Sequence, residues 1–381
     1  MDIKNTVANF AKEHMDEVYK LLYDICHIPA PSHYEHKRAE YCKKWFDEQG
    51  FDGTYIDNAL NVIVPYQAEG KNDLTVFVAH TDTVFPDTEP MPYIDDGEYI
   101  RCPGVGDDTA SLAILMVMAK FFKENKIEVP GGVLFVANSC EEGLGNLKGT
   151  RQLFKDFEGR IKQFFSFDCF ALNLASDVCV GSHRYEVEVL TEGGHSWGKF
   201  GNANAIAELS KIITEIYSIT LPEKEGKKVS YNVGEISGGT SVNTIAQSAK
   251  MLCEYRSDDE ELLAFMKKKF NEIFALANTD KVTVNVKTIG ERPCASLDLD
   301  FDKIEAFKKI LDPIVAEIAE QEVSYKKSST DCNIPLSLGI PALTIGVYDG
   351  GGAHTREEWL KKSSLLPGLE IAIRSALEFT K

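Results

Sequence analysis

Five short segments of this chain carry side chains that could do chemistry together: His80-Thr81-Asp82, Gly106-Asp107-Asp108, Glu141-Glu142-Gly143, Phe167-Asp168-Cys169 and Ala353-His354-Thr355. Imidazole and carboxylate are the ligands zinc takes in hydrolytic sites. Two His with three carboxylates are enough for two ions, and a further carboxylate is left over as a general base. His80 and Asp82 lie two apart on what reads as extended chain, so their side chains project to the same side. Asp82 can then fix one ring nitrogen of His80 as N–H while the other binds metal. Glu141 and Glu142 are adjacent and project differently, so one suits a metal and the other an attacking water. Each residue alone has an ordinary explanation, such as a turn-capping Asp. Their joint occurrence at the ends of apolar runs is what points to chemistry.

The elements that must position them alternate between strand and helix. Residues 5–50 read as two helices broken at Pro29-Ala30-Pro31-Ser32. Strands are expected near Asn61–Val64, Leu74–Ala79, Gly132–Asn138, Phe164–Phe167 and Pro341–Val347, and several are apolar almost throughout, as in a sheet covered on both faces. Helices are expected after Asp108, over Asp302–Ala319 and from about Glu357. This is an α/β domain with helices on both faces of its sheet, and the ligand-bearing segments follow strands, where open α/β sheets form their sites. Between residues 182 and 290 the pattern changes to strand, helix, strand, strand, helix, strand. The strands are Tyr185–Leu190, Ser230–Glu235, Ala249–Glu254 and Lys281–Lys287, and the helices Ala203–Tyr217 and Asp259–Ala277. That is a βαββαβ, ferredoxin-like α+β insertion. The expected division is a catalytic domain from 1–181 and 291–381 with a lid from 182–290.

At 381 residues the chain is long for a single core. With 44% hydrophobic and 26% charged residues it reads as globular, and its formal net charge of −18 argues against nucleic acid or an anionic membrane as partner. No apolar run approaches the ~18–20 residues of a membrane span. Nine scattered cysteines without a Cys-x-x-Cys pair fit reduced, buried thiols. With no basic-then-apolar start, a cytoplasmic location is expected. His33, His36 and His183 fit no motif and read as ordinary surface or loop residues.

In combination these motifs resemble the di-zinc exopeptidase family that contains peptidase T, carboxypeptidase G, aminoacylase and succinyl-diaminopimelate desuccinylase. The resemblance spans nearly the whole chain and includes Ser329-Thr330-Asp331-Cys332-Asn333. It implies a zinc-exopeptidase-like mixed sheet with an inserted lid that also dimerises. It implies that Asp107 bridges two zinc ions, with His80 and Asp168 completing one position and Glu142 and His354 the other. Cobalt or manganese can fill similar sites. Asp82 would orient His80, and Glu141 would be the base for a zinc-held hydroxide. A cis peptide is implied at Asp107–Asp108. His195, Asn243 and Arg256 would contact substrate, His195 often from the partner subunit and Arg256 by clamping a carboxylate. After Asp107-Asp108 this chain has Thr109-Ala110 where many relatives have Lys-Gly or Lys-Ala, which changes the local field. The expected activity is a peptidase T-like aminopeptidase on small peptides, with a carboxypeptidase or N-acyl-amino-acid deacylase second. A catalytically silent binding protein is disfavoured because the ligand and base positions are all intact.

Overall fold

Leu74–His80 and Val133–Asn138 are buried along their whole length, as their unbroken apolar runs require of strands covered on both faces. In the computed structural model, which describes residues 3–381, they lie inside an eight-stranded mixed sheet. Its order is Tyr55–Ile56, Val62–Tyr66, Val133–Asn138, Leu74–His80, Ile161–Ser166, Ala342–Ile345, Leu174–Cys179, Ser324–Ser328. The four strands at its centre, Val133–Asn138, Leu74–His80, Ile161–Ser166 and Ala342–Ile345, are neighbours and all parallel. One face packs against the helices Ile3–Glu13, Met15–Cys26, His36–Glu48, Ser111–Glu124, Phe301–Ala319 and Leu365–Phe379. Phe77 is the hub of that face, with ring centroids of Phe135, Phe165 and Phe167 at 6.1, 5.3 and 6.2 Å. Truncating such a ring to alanine typically costs about 3–5 kcal/mol. On the other face, Phe154 of the helix Lys148–Asp156 packs on Phe164.

The sheet and its helices form one compact unit, made of residues up to Cys179 together with Asp298–Lys381. The second unit is Val180–Leu297. The strand Val282–Arg292 runs past residue 290, and the unit extends accordingly. Its sheet is fully antiparallel, in the order Val229–Gly238, Ser248–Ser257, Gly181–Thr191, Val282–Arg292. The helices Ala205–Tyr217 and Glu260–Ala277 bury one face of it in a separate core around Tyr185, Val187, Met251 and Phe270. Both helices have side-chain N-caps. Asn204 accepts from the N–H groups of Ile206 and Ala207, and Asp259 accepts from Leu262.

The structure departs from the sequence reading in several places. The N-terminal helical region is two helices, Ile3–Glu13 and Met15–Cys26, before the proline turn. The last helix begins at Leu365, because Trp359–Lys361 is drawn into a small four-stranded sheet against Tyr99–Arg101. Leu174–Cys179 and Ser324–Ser328 were not anticipated. Ser324–Ser328 is a polar edge strand without apolar alternation. His183 is buried inside a strand, with Nδ1 2.7 Å from the Tyr255 hydroxyl. All nine cysteines are buried and free. Among the described residues no helix is long and apolar enough to cross a membrane.

Candidate metal centre

Because the four central strands are parallel and adjacent, their carboxyl ends open on one edge of the sheet. His80 closes the first of them in sequence, and Asp82 follows it. Glu141 and Glu142 follow Val133–Asn138, Asp168 follows Ile161–Ser166, and His354 lies on the loop beyond Ala342–Ile345. Asp107 and Asp108 arrive from a different direction, in the turn Val105–Ala110 that leads into the buried helix Ser111–Glu124. The peptide bond between them is cis.

The Asp107 carboxylate sits between two imidazoles. Its Oδ1 is 2.9 Å from His80 Nε2 and its Oδ2 is 3.1 Å from His354 Nε2. The same His354 nitrogen is 3.2 Å from Glu142 Oε1. Among the described residues, donor atoms gather within 4.8 Å of one another in two groups: His80, Glu141 and Asp168, and His80, Asp107 and Glu142. The five ligand positions and the one base position named from sequence therefore converge on one place. His80 is buried, whereas the His354 side chain is 57% exposed, so the two ends of this constellation differ sharply in access to solvent.

The electrostatics are those of too much negative charge in too little solvent. Burial pushes Glu142 up to about 8, and the Asp107 charge adds to it. Burial also raises Asp168 well above the ordinary carboxylate range, reinforced by Asp107 and Glu141. Burial would raise Asp107 as well, but hydrogen bonds from His354 and His80 outweigh it and hold that carboxyl low. The same contacts act on the imidazoles. Asp107 and Glu142 lift His354 to about 10, and His80 is lifted well above its usual value although burial opposes this. Glu142 Oε1 is buried and shares the His354 ring nitrogen, 3.2 Å away, with Asp107. Two imidazoles set among mutually repelling buried carboxylates fit divalent cations bound by nitrogen and oxygen.

Asp82 meets His80 through both its main chain and its side chain: His80 Nδ1 is 3.0 Å from the Asp82 main-chain oxygen and 3.5 Å from Oδ1. The carboxylate also accepts from the main-chain N–H groups of Glu141 (2.9 Å) and Glu142 (3.0 Å) and from the Ser32 hydroxyl (2.6 Å). One residue thus fixes the His80 tautomer through its main chain and the Glu141-Glu142 turn through its side chain. Sequence reasoning assigned no role to Ser32, to buried Arg38, which donates to the Thr81 carbonyl at 2.9 Å, or to Glu358. Asp331 lay within a quoted motif without a role. It accepts from Asn138 at 2.7 Å and from Thr150, and burial together with the Glu141 charge raises it to about 7.

The remaining expected residues lie in the second unit. His195 pairs across a two-stranded ladder with Thr244, and Ser196 N–H donates to the Asn243 carbonyl at 3.0 Å, so His195 and Asn243 are neighbours. Arg256 is near the far end of Ser248–Ser257, on the order of 25 Å along the strand from Ser248. Its guanidinium is taken up by Glu254, with contacts of 2.7 and 3.0 Å. Within one chain, the second unit brings two of the three together and holds the third apart.

Three comparisons bear on this arrangement. The model of "Peptidase family M20/M25/M40" matches residues 76–378. Over 315 residues the chain is 23% identical to a protein of Ajellomyces capsulatus described as a probable carboxypeptidase, covering 74% of this chain and 70% of that one. Its fold is similar to that of aminopeptidase PepT from Bacillus cereus, with a TM-score of 0.73 at 20% identity over 96% of this chain and 99% of the other. It is also similar to the YXEP protein of Bacillus subtilis, described as a dinuclear metal binding peptidase, with a TM-score of 0.67 at 15% identity over 97% and 99% of the two chains.

Proposed function

We infer, from the premise that this chain belongs to peptidase family M20/M25/M40, that it is a di-zinc aminopeptidase acting on short peptides. As a member of that family it is a peptide or amide hydrolase; the direction of attack and the metal are the proposed part. The observation that carries the reading is the Asp107 carboxylate set between His80 and His354, with Glu141 and Glu142 beside it. His80, Asp168 and Asp107 would hold one zinc ion, and Asp107, Glu142 and His354 the other. When bound, such ions acidify water and polarise a carbonyl. Glu141 takes a proton from the attacking water and returns it to the leaving nitrogen. Asp82 keeps the Glu141-Glu142 turn in place through two main-chain N–H groups, and Ser32 holds Asp82. His195 and Asn243 would face the substrate carbonyl, and Arg256 would exchange Glu254 for a substrate carboxylate. A dipeptide is far shorter than the separation between His195 and Arg256. Both can act on one substrate only if they come from different protomers, which favours a homodimer through the second unit.

The test is product analysis by mass spectrometry on a pool of di- and tripeptides and N-acyl amino acids, with added zinc and with chelator. Chelator-sensitive release of N-terminal residues is the expected result. Release of C-terminal residues, or deacylation alone, would replace this reading with a carboxypeptidase or deacylase on the same site.

A further inference from the structure

Glu358 lies four residues beyond His354, is 2% exposed, and has neither carboxylate oxygen in the donor groups around His80. Its oxygens are used otherwise. Oε2 accepts from Gly104 N–H at 2.7 Å, and Oε1 accepts from Gly106 and Asp107 N–H at 2.8 Å each. These are N–H groups at the entry to the turn Val105–Ala110, where Gly104 supplies no side-chain cap and the main chain departs from helical φ/ψ at Asp107 and Asp108. Buried amides of such a turn need acceptors from elsewhere in the fold, and a carboxylate is a strong one. Glu358 therefore binds the main chain of a turn more than two hundred residues away in sequence. The main chain it grips is the one that bears Asp107.

The same stretch of chain touches this turn at two other points. A Cβ on Gly106 would come within 2.7 Å of the Tyr348 hydroxyl oxygen, so Tyr348 packs directly on its main chain. His354 meets the Asp107 carboxylate itself. Residues 348–358 thus hold Asp107 from behind by its backbone and from in front by its side chain. A carboxylate that must serve two cations at once tolerates placement errors of only about 0.5 Å.

We propose that Glu358 is the positioning residue of the cation pair: it sets the Gly104–Asp107 main chain so that the Asp107 carboxylate spans His80 and His354. The inference rests on the di-metal reading of the site. A ligand role for Glu358 does not fit, because its acceptors are already engaged by amides.

The experiment measures zinc stoichiometry and affinity of the full chain by competition with a chromogenic chelator, alongside urea unfolding of the metal-free protein. Glu358→Gln keeps the shape but turns one acceptor into an N–H donor facing an amide. It should weaken both ions together by at least tenfold in a chain that remains folded by circular dichroism. Glu358→Asp retains the charge but falls short of the amides, and should not restore affinity. Native affinity for both ions in Glu358→Gln, with only a drop in stability, overturns the proposal. If Glu358→Gln does not fold, Gly106→Ala, which displaces the same main chain from the Tyr348 side, decides: paired loss of both ions supports the proposal and native affinity refutes it. Fewer than two ions in the native protein is a different result, and it removes the di-metal reading itself.

Discussion

Glu141 and Glu142 are adjacent and both buried, yet the proposed mechanism gives them unlike tasks, and Glu141→Gln separates the two. If Glu142 is the ligand, the substitution leaves Asp107, Glu142 and Asp168 in place. Three negative charges still face four positive charges of two dications, and both imidazoles remain. Metal binding should stay within a fewfold of native. Removal of a general base from a hydrolytic site lowers turnover by about 10²–10⁴-fold, which is ~2.7–5.4 kcal/mol of barrier at about 1.36 kcal/mol per decade. The structure supplies the competing outcome, since Glu141 itself gathers with His80 and Asp168 within 4.8 Å. If Glu141 were a ligand, one of that group's three members would be lost and an ion with it. The assay pairs metal analysis after gel filtration with steady-state release of N-terminal residues from a tripeptide, in Glu141→Gln and Glu142→Gln side by side. Expected are two ions and a collapsed kcat with little change in KM for Glu141→Gln, and metal loss for Glu142→Gln. Loss of an ion from Glu141→Gln, or native turnover in it, would falsify the division of roles.

Glu142 at about 8 and His354 at about 10 hold protons at neutral pH without metal, so zinc uptake should release protons and affinity should climb between roughly pH 6 and 9. Calorimetry in two buffers of different ionisation heat reads this directly, and heats independent of buffer would refute it. The metal-free fold should also lose stability as pH rises. His354 stabilises fully below its unfolded value of about 6.5 and loses that contribution as pH passes through 10. Glu142, with its folded value raised, disfavours the fold once it ionises between roughly 4.5 and 8. The melting temperature in chelator should therefore be higher at pH 6 than at pH 10, and the reverse order would contradict the assignment. Gly368→Ala would ordinarily strengthen a helix by ~1 kcal/mol. Here the new Cβ meets the Val347 carbonyl oxygen at 1.6 Å, so a net loss of about 1–3 kcal/mol is expected in urea titration. Mixing inactive His195→Ala and Glu141→Gln proteins should restore activity if His195 acts across a dimer, because one site in each mixed dimer is intact. No recovery after verified subunit exchange would count against that arrangement.

The parts of the site legible in the sequence were those announced by their neighbours. His80 ends the run Leu-Thr-Val-Phe-Val-Ala, and such a run followed by a ligand side chain marks a strand end. Glu358 could not be read this way, because it acts on amide groups rather than side chains and its partners lie at Gly104, Gly106 and Asp107. Asp82 was legible as a partner of His80 through the two-residue spacing. Spacing says nothing of the Glu141 and Glu142 amides, which tertiary structure alone brings to its carboxylate. The central strands were found because burial on both faces demands apolar residues. Ser324–Ser328 was missed because an edge strand, exposed along much of its length, makes no such demand.

The order of strands in the sheet has a consequence for how the protein is made. Ala342–Ile345 lies between Ile161–Ser166 and Leu174–Cys179, pairing with each. A ribosome finishes those two strands about 165 residues before it reaches their common neighbour, a wait of roughly 10–30 s at ~5–20 residues per second. Throughout it, both present unpaired edges of the kind that invite association between chains. The intervening Val180–Leu297 closes its own antiparallel sheet on its own core, so it can fold on the nascent chain while the slot stays open. His354 emerges later than the strand that fills the slot, so the cation site becomes complete only after that strand has been made. Nascent chains stalled before residue 342 should therefore be held by chaperones, and those stalled beyond the last helix released.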